Sequence, residues 1–301
     1  MKTKNKKQID PVPAATVILT RQHADELQVY LLKRSVNSGF MAGNYVFPGG
    51  IVDPEDQNVK VWKAHVDLDL DGIDHYLGGG LTVTESLAYG IAVIRETFEE
   101  AGVFLALKPD NNSEDLKWIC KMRLSGKLIK GWFLKFVASG GWILALSALS
   151  RWSHWITPEL MKRRYDTRFF VASLPPGQHC QPDSRETTHG IWISPEKGLA
   201  GNLAGEIPLS PPTLITLHQL LKYPTLKDLE KGAKNHHWEK ACLPRLIPLD
   251  QGMVIIEPWD SQYTHKEIYI DSNDLEASIL PVGKSFSRIW HHNGIWRPVA
   301  N

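Results

Sequence analysis

Cysteine is scarce in this chain of 301 residues. There are three, Cys120, Cys180 and Cys242, far apart and in no Cys-x-x-Cys pair. An odd, scattered set excludes a disulfide framework or a cysteine zinc site, and it fits a reducing, cytoplasmic setting. An excess of one charge is also missing. Lysine and arginine total 34, aspartate and glutamate 33, and the formal net charge is +1. Proteins that hold nucleic acid through bulk charge carry a clear basic excess, so that class is excluded. A small anion needs only a local basic pocket and is not. Long apolar runs are absent: the longest, 136–149, is too short for a bilayer and contains Gly140-Gly141. No membrane partner is expected. The basic start, Lys2 to Lys7, has no apolar segment of signal-peptide length behind it, and the last residues, Pro298-Val299-Ala300-Asn301, do not read as a peroxisomal signal. Other catalytic signatures are missing too. There is no G-x-S-x-G elbow and no H-E-x-x-H. Gly283-Lys284-Ser285 lacks the earlier glycine of a P-loop, because that position is Ser278.

What is present is ordinary globular material, 43% hydrophobic and 22% charged, enough for a full core. Apolar runs at 14–20 and 29–33 predict two strands around a polar turn. Val46-Phe47 then runs into Pro48-Gly49-Gly50. The polar stretch 53–80 reads as an inserted loop with at most a short helix. Leu87, Ile91, Ile94 and Phe98 recur at helical steps and predict a helix over 84–101, with Thr84 as N-cap and Gly102 as its stop. One or two helices are expected in 113–139, strands at 168–172 and 190–194, and a helix at 211–221. Asn293-Gly294 marks a hairpin. No internal repeat is visible, and the mixture implies α/β or α+β layers.

The chemistry lies in Arg95-Glu96-Thr97-Phe98-Glu99-Glu100-Ala101-Gly102-Val103. On a helix, Glu96, Glu99 and Glu100 share one face, and Arg95 reaches Glu99 one turn on. Three clustered carboxylates repel one another, and a hard divalent cation such as Mg2+ or Mn2+ resolves that repulsion. Arg-Glu-x-x-Glu-Glu also occurs on plain solvated helices. The Phe98 and Ala-Gly-Val context, with Phe47-Pro48-Gly49-Gly50 upstream, makes the pattern far more restrictive.

These segments resemble the Nudix hydrolases, whose box reads G-x5-E-x7-R-E-U-x-E-E-x-G-U with U apolar. The resemblance implies an α/β/α sandwich with a mixed sheet and cleavage of a diphosphate bond. It implies Glu96, Glu99 and Glu100 as metal ligands, with Glu96 alternatively the general base, Arg95 as orienting residue and the Gly50 carbonyl as a further ligand. Glu186, ahead of Gly190-Ile191-Trp192-Ile193, is the candidate for a later acidic ligand. The box is split, because Gly50 lies 45 residues before Arg95 where the pattern has 14. Gly79, with Glu85 six residues on, is the alternative opening glycine. The middle glutamate position holds Leu87. The domain is expected over 11–224, with insertions at about 53–83 and 110–155 and an extension, 225–301, packed on it.

Trp155-Ile156-Thr157-Pro158, Arg164-Tyr165-Asp166-Thr167-Arg168-Phe169-Phe170 and Leu209-Ser210-Pro211-Pro212-Thr213 narrow the resemblance to the branch of coenzyme A and acyl-coenzyme A diphosphatases. That branch implies a small nucleotide substrate cut to 3′,5′-ADP and (acyl-)4′-phosphopantetheine. Leu31-Leu32-Lys33-Arg34-Ser35 matches a coenzyme A signature in part. Arg34, Arg164 and Arg168 are the arginines expected at phosphates. Aromatic residues of 131–155 either cover the pantetheine arm or belong to the core. An ADP-ribose or NADH hydrolase, or a regulatory module that has lost catalysis, are the alternatives. The sequence leaves a homo-oligomer open.

Overall fold

A computed structural model describes residues 9–39, 41–108, 114–183, 185, 187–234 and 236–301. The chain begins with β1 (Val12–His23), β2 (Glu26–Arg34), β3 (Tyr45–Val46) and β4 (Gly49–Ile51). A 3-10 turn (Pro54–Gln57), α1 (Val59–Trp62), α2 (Leu70–Leu77) and α3 (Val83–Ala101) follow. Next come β5 (Ala106–Leu107), α4 (Glu114–Leu124), α5 (Trp132–Gly140), β6 (Ile143–Leu144), β7 (Ser150–Ile156), β8 (Tyr165–Ser173) and β9 (Thr187–Ile193). The chain closes with α6 (Pro195–Ala204), α7 (Pro211–Leu220), α8 (Leu226–Ala233), β10 (Arg245–Pro248), β11 (Met253–Ile256), β12 (Arg288–His292) and β13 (Ile295–Val299).

The organising strand is β1. Its apolar residues do not alternate with polar ones, because both of its faces are covered. Ala15, Val17 and Leu19 enter one core, with α2, α3, α4 and α5. Ile18 enters the other, with α6, α7 and α8. The result is a three-layer α/β/α arrangement around a mixed sheet in the order β3-β2-β1-β8-β7, with β4 paired to β1 and β9 to β2. β1 and β8 run parallel, and the other pairings in this sheet are antiparallel. Pairing Ala15 with Gly50 sets the glycine strand beneath the C-terminal half of α3. Among the described residues no helix is long and apolar enough to cross a membrane.

Three expectations need correction. The stretch 53–80 is more ordered than a loop. Asp69 accepts from the Gly72 amide at 2.7 Å and starts α2, whose Ile73 and Leu77 are fully buried; the aspartate-rich composition masked this apolar spacing. The N-cap of α3 is Thr82 rather than Thr84. Its hydroxyl accepts from Glu85 N, and the Glu85 carboxylate accepts from Thr82 N at 2.8 Å, a reciprocal capping box. Finally, the weak signals after residue 222 conceal α8 and a second sheet, β10-β11-β12-β13. Ile255, Ile289 and Trp296 of that sheet pack into the same core as Ile18 and Phe169. Its β12–β13 hairpin turns at Asn293-Gly294, both at positive φ, as the Asn-Gly signal requires.

Just beyond β11, Glu257 is 0% exposed. Its Oε2 accepts from the Cys242 thiol at 3.4 Å, and its Oε1 has no hydrogen-bond partner. Burial pushes this carboxyl up to about 8. Between its ordinary value near 4.5 and about 8, the folded chain keeps a proton that the unfolded chain has released, so stability falls as pH rises. Glu257→Gln removes the penalty. Its Tm is expected to exceed that of the wild type by a margin that widens from pH 5 to pH 8.5. Parallel Tm profiles would contradict a buried, protonated Glu257.

Candidate active site

Helix α3 presents its chemistry in its last two turns, and Arg95 is the centre. Its guanidinium grips Asp56 of the 3-10 turn twice, Nε to Oδ1 at 3.2 Å and Nη2 to Oδ2 at 2.9 Å. Nη1 donates to Glu96 at 2.7 Å and to Glu99 at 3.1 Å, and Nη2 donates to the Ile51 carbonyl at 2.8 Å. Burial opposes the charge on Arg95. The Asp56 hydrogen bonds and the Glu96 and Glu99 charges outweigh it and hold the pKa above its ordinary value. One residue therefore ties α3 to β4 and to the turn after it.

Each carboxylate has its own support. Glu96 lies against Gly50: a Cβ at that glycine would collide with its carboxyl group. Burial raises Glu96 to about 7 against the opposing pull of Arg95. Glu99 accepts from the indole N–H of Trp132 at 2.6 Å, and burial raises its pKa as well. Glu100 accepts from the Gly49 amide at 2.9 Å. Of the two candidate opening glycines, Gly50 is the one that lies against the carboxylate cluster. Gly79 instead adjoins Arg151 and Trp238, and Glu85 is used in the helix cap.

Two clefts meet at this cluster, and Glu96, Glu99 and Glu100 line both. The larger, about 600 Å3, runs between the 3-10 turn and the segment 128–134, with Asp53, Glu55, Asp183, Lys130 and Arg185 along it. The smaller, about 480 Å3, is walled by Phe47, Trp155, Tyr165, Phe169, Pro211 and Pro212. Arg34 lines this second cleft, with Nε and Nη2 both on Ser38 Oγ. The other two arginines lie elsewhere. Arg164 is buried and donates to the carbonyls of Thr157 and Ile9, so it holds the β7–β8 loop to the start of β1. Arg168 is packed over Trp238, 5.0 Å to the ring, and beside Tyr89. It lines neither cleft. Glu186 falls outside the described residues. The aromatic residues of 131–155 are largely core: Phe136 and Trp142 stack at 5.8 Å, while Trp132 and Phe133 also form a wall of the larger cleft.

Sequence reasoning missed Asp56 and Trp132. Asp56 sits in a Pro-Glu-Asp turn that could have been read as a 3-10 start. Trp132 carries no local signal, being 33 residues from its partner. Among the described residues no group of three or more acidic, histidine or cysteine side chains stands gathered so as to hold a metal ion. The three carboxylates are tied to Arg95, Trp132 and the Gly49 amide instead. They are hard oxygen donors on the last two turns of one helix, partly desolvated, and by chemistry such donors suit a divalent cation of the magnesium class.

A glycine strand beneath a helix that carries Arg-Glu-x-x-Glu-Glu, in a three-layer mixed-sheet fold, defines a Nudix hydrolase. The chain belongs to the family described as the NUDT19 Nudix domain, whose model matches residues 11–220. It is similar to the acyl-coenzyme A diphosphatase NUDT19 of Homo sapiens, 28% identical over 88% of this chain and 81% of that protein. The Xenopus laevis protein of the same name is 26% identical over 89% and 82%. Among solved structures, a Nudix hydrolase from Alicyclobacillus acidocaldarius superposes with a TM-score of 0.53 at 25% identity, covering 72% of this chain and 94% of that one.

Gly50→Ala tests the geometry directly. Nothing in the backbone of Gly50 forbids alanine, since it is not among the positive-φ glycines. The new methyl group can only displace Glu96. Hydrolase activity is expected to fall about 100-fold, the scale of a 1 Å misplacement of a reacting group, with little change in Tm. Unchanged turnover would mean that Glu96 need not sit where it does.

Proposed function

We propose that the protein hydrolyses the diphosphate of coenzyme A or acyl-coenzyme A, releasing 3′,5′-ADP and (acyl-)4′-phosphopantetheine. One observation carries the reading: two unlike clefts converge on a single carboxylate cluster. A substrate cut near its middle, with chemically different arms, fills such a site. The names of the relatives favour the coenzyme A class over other nucleoside diphosphate derivatives.

In this reading Glu96, Glu99 and Glu100 hold Mg2+ or Mn2+ together with the Gly50 carbonyl, and Glu186 is a further ligand. When bound, the ion supplies positive charge against the diphosphate oxygens and eases ionisation of the attacking water. Glu96 takes the proton of that water. The water oxygen bonds to one phosphorus, the bond from that phosphorus to the bridging oxygen breaks, and the bridging oxygen leaves on the other phosphate. Arg95 stays charged throughout and keeps Glu96 and Glu99 oriented, which is a positioning role. Asp56 and Trp132 act one step further out, through Arg95 and Glu99 respectively. The side chains of Arg95 and Glu96 are largely buried, and their electrostatic contribution grows accordingly.

The test is a substrate panel of coenzyme A, acetyl-coenzyme A, ADP-ribose and NADH, with Mg2+ or Mn2+ and with EDTA, products resolved by chromatography. Metal-dependent release of 3′,5′-ADP from the two coenzyme A compounds is expected. Turnover of only ADP-ribose or NADH would overturn the substrate class and keep the reaction.

A further inference from the structure

The two clefts differ in how many charged side chains line them. Beyond the shared glutamates the larger holds four acids, Asp53, Glu55, Asp56 and Asp183, and four cations, Arg95, Arg123, Lys130 and Arg185. The smaller adds no acid, and its one cationic lining residue is Arg34. A second arginine stands close by. The loop that follows β2 carries Arg34 on Ser38, through Nε and Nη2 at 3.1 and 3.0 Å. The next residue, Gly39, lies directly under the guanidinium of Arg163. A Cβ on Gly39 would come within 2.5 Å of Arg163 Nη1 and 3.1 Å of Nη2. Two guanidinium groups therefore rest on consecutive residues of one loop. That loop also supplies Met41 to the cleft, and the loop of Arg163 supplies Thr157 and Pro158. Among the described residues neither arginine is ion-paired with a carboxylate. Cations without an acid partner gain from an anion, and a phosphate accepts two arginine forks at once.

We infer that Arg163 and Arg34 together bind a phosphate monoester on the nucleoside arm of the substrate, which assigns the nucleotide to the smaller cleft and the pantetheine arm to the larger. The inference rests on the coenzyme A reading, because coenzyme A carries such a monoester, on the 3′ oxygen of its ribose, apart from the diphosphate that is cut. The aromatic and proline walls suit a purine ring. The larger cleft, where acids and cations stand side by side, offers donors and acceptors to the uncharged amides of pantetheine.

The experiment compares 3′,5′-ADP with 5′-AMP, which differ only in the 3′-phosphate, by calorimetric binding to the full chain in magnesium buffer. Wild type is expected to bind 3′,5′-ADP at least about tenfold more tightly, the scale of one charge-assisted arginine pair. Arg163→Gln should remove most of that preference while leaving 5′-AMP affinity within twofold. Arg163 is exposed, so an unchanged Tm confirms that the variant is folded. In turnover, Arg163→Gln should lower kcat/KM on coenzyme A about tenfold and on 3′-dephospho-coenzyme A less than twofold. Equal affinities in the wild type, or a variant that weakens both ligands alike, would overturn the arginine assignment. Failure of the wild type to release 3′,5′-ADP from coenzyme A would instead overturn the substrate class, and the binding comparison would still decide whether the arginines read a phosphate.

Discussion

Arg95 is a buried cation held by acids from two directions, and the site is arranged around that fact. Asp56 grips it from the turn after the glycine strand, and Glu96 and Glu99 grip it from its own helix. A buried charge that lost such partners would cost roughly 3–5 kcal/mol, so the turn, the strand and the helix are bound to keep one relative position. Gly50 must then be bare, because Glu96 is pressed against it. The cost of crowding carboxylates in a partly desolvated place is visible in the raised pKa values of Glu96 and Glu99. Clustering of that kind is what a site for a divalent cation and an anionic substrate needs, and what a purely structural helix face does not.

The insertions finish the site instead of decorating it. The segment between β4 and α3 contributes Asp56 and Trp62, and the helical stretch after α3 contributes Trp132 and the wall of the larger cleft. Trp132 is packed on Phe98 at 5.3 Å while its N–H reaches Glu99, so the core and the carboxylate cluster share one side chain. On the other side of the sheet, α7 and the C-terminal strands add Pro211, Pro212 and Ile255 to the smaller cleft. Each cleft thus has its own wall, built from segments distant in sequence, and the two are joined at the last turns of α3.

Much of this was legible in the chain itself. The apolar run of β1, the helical stripe of α3 with its glycine stop, the glycine pair ahead of it and the Asn-Gly hairpin are local patterns with local causes. The three glutamates and their arginine could be placed on one helix face by spacing alone. Arg164 and Arg168 misled, because arginine is equally suited to phosphate, to backbone carbonyls and to an aromatic ring, and only the fold decides among them. Asp56, Trp132 and Arg163 were silent for a related reason: each acts through a partner far away in sequence, and no periodicity encodes such a contact. The second sheet was hidden because its strands, Arg245–Pro248, Met253–Ile256, Arg288–His292 and Ile295–Val299, are too short for a clear periodicity.

The most direct test of the central claim is the turnover of Glu99→Gln measured beside its melting temperature. The substitution keeps the shape of the side chain and one acceptor for Arg95 or Trp132, and removes the charge. Helix α3 as a catalytic face predicts a loss of at least about 100-fold in kcat/KM with Tm within about 2 °C of the wild type. Near-wild-type turnover would contradict it, and would reduce the carboxylate cluster to a structural feature of the helix.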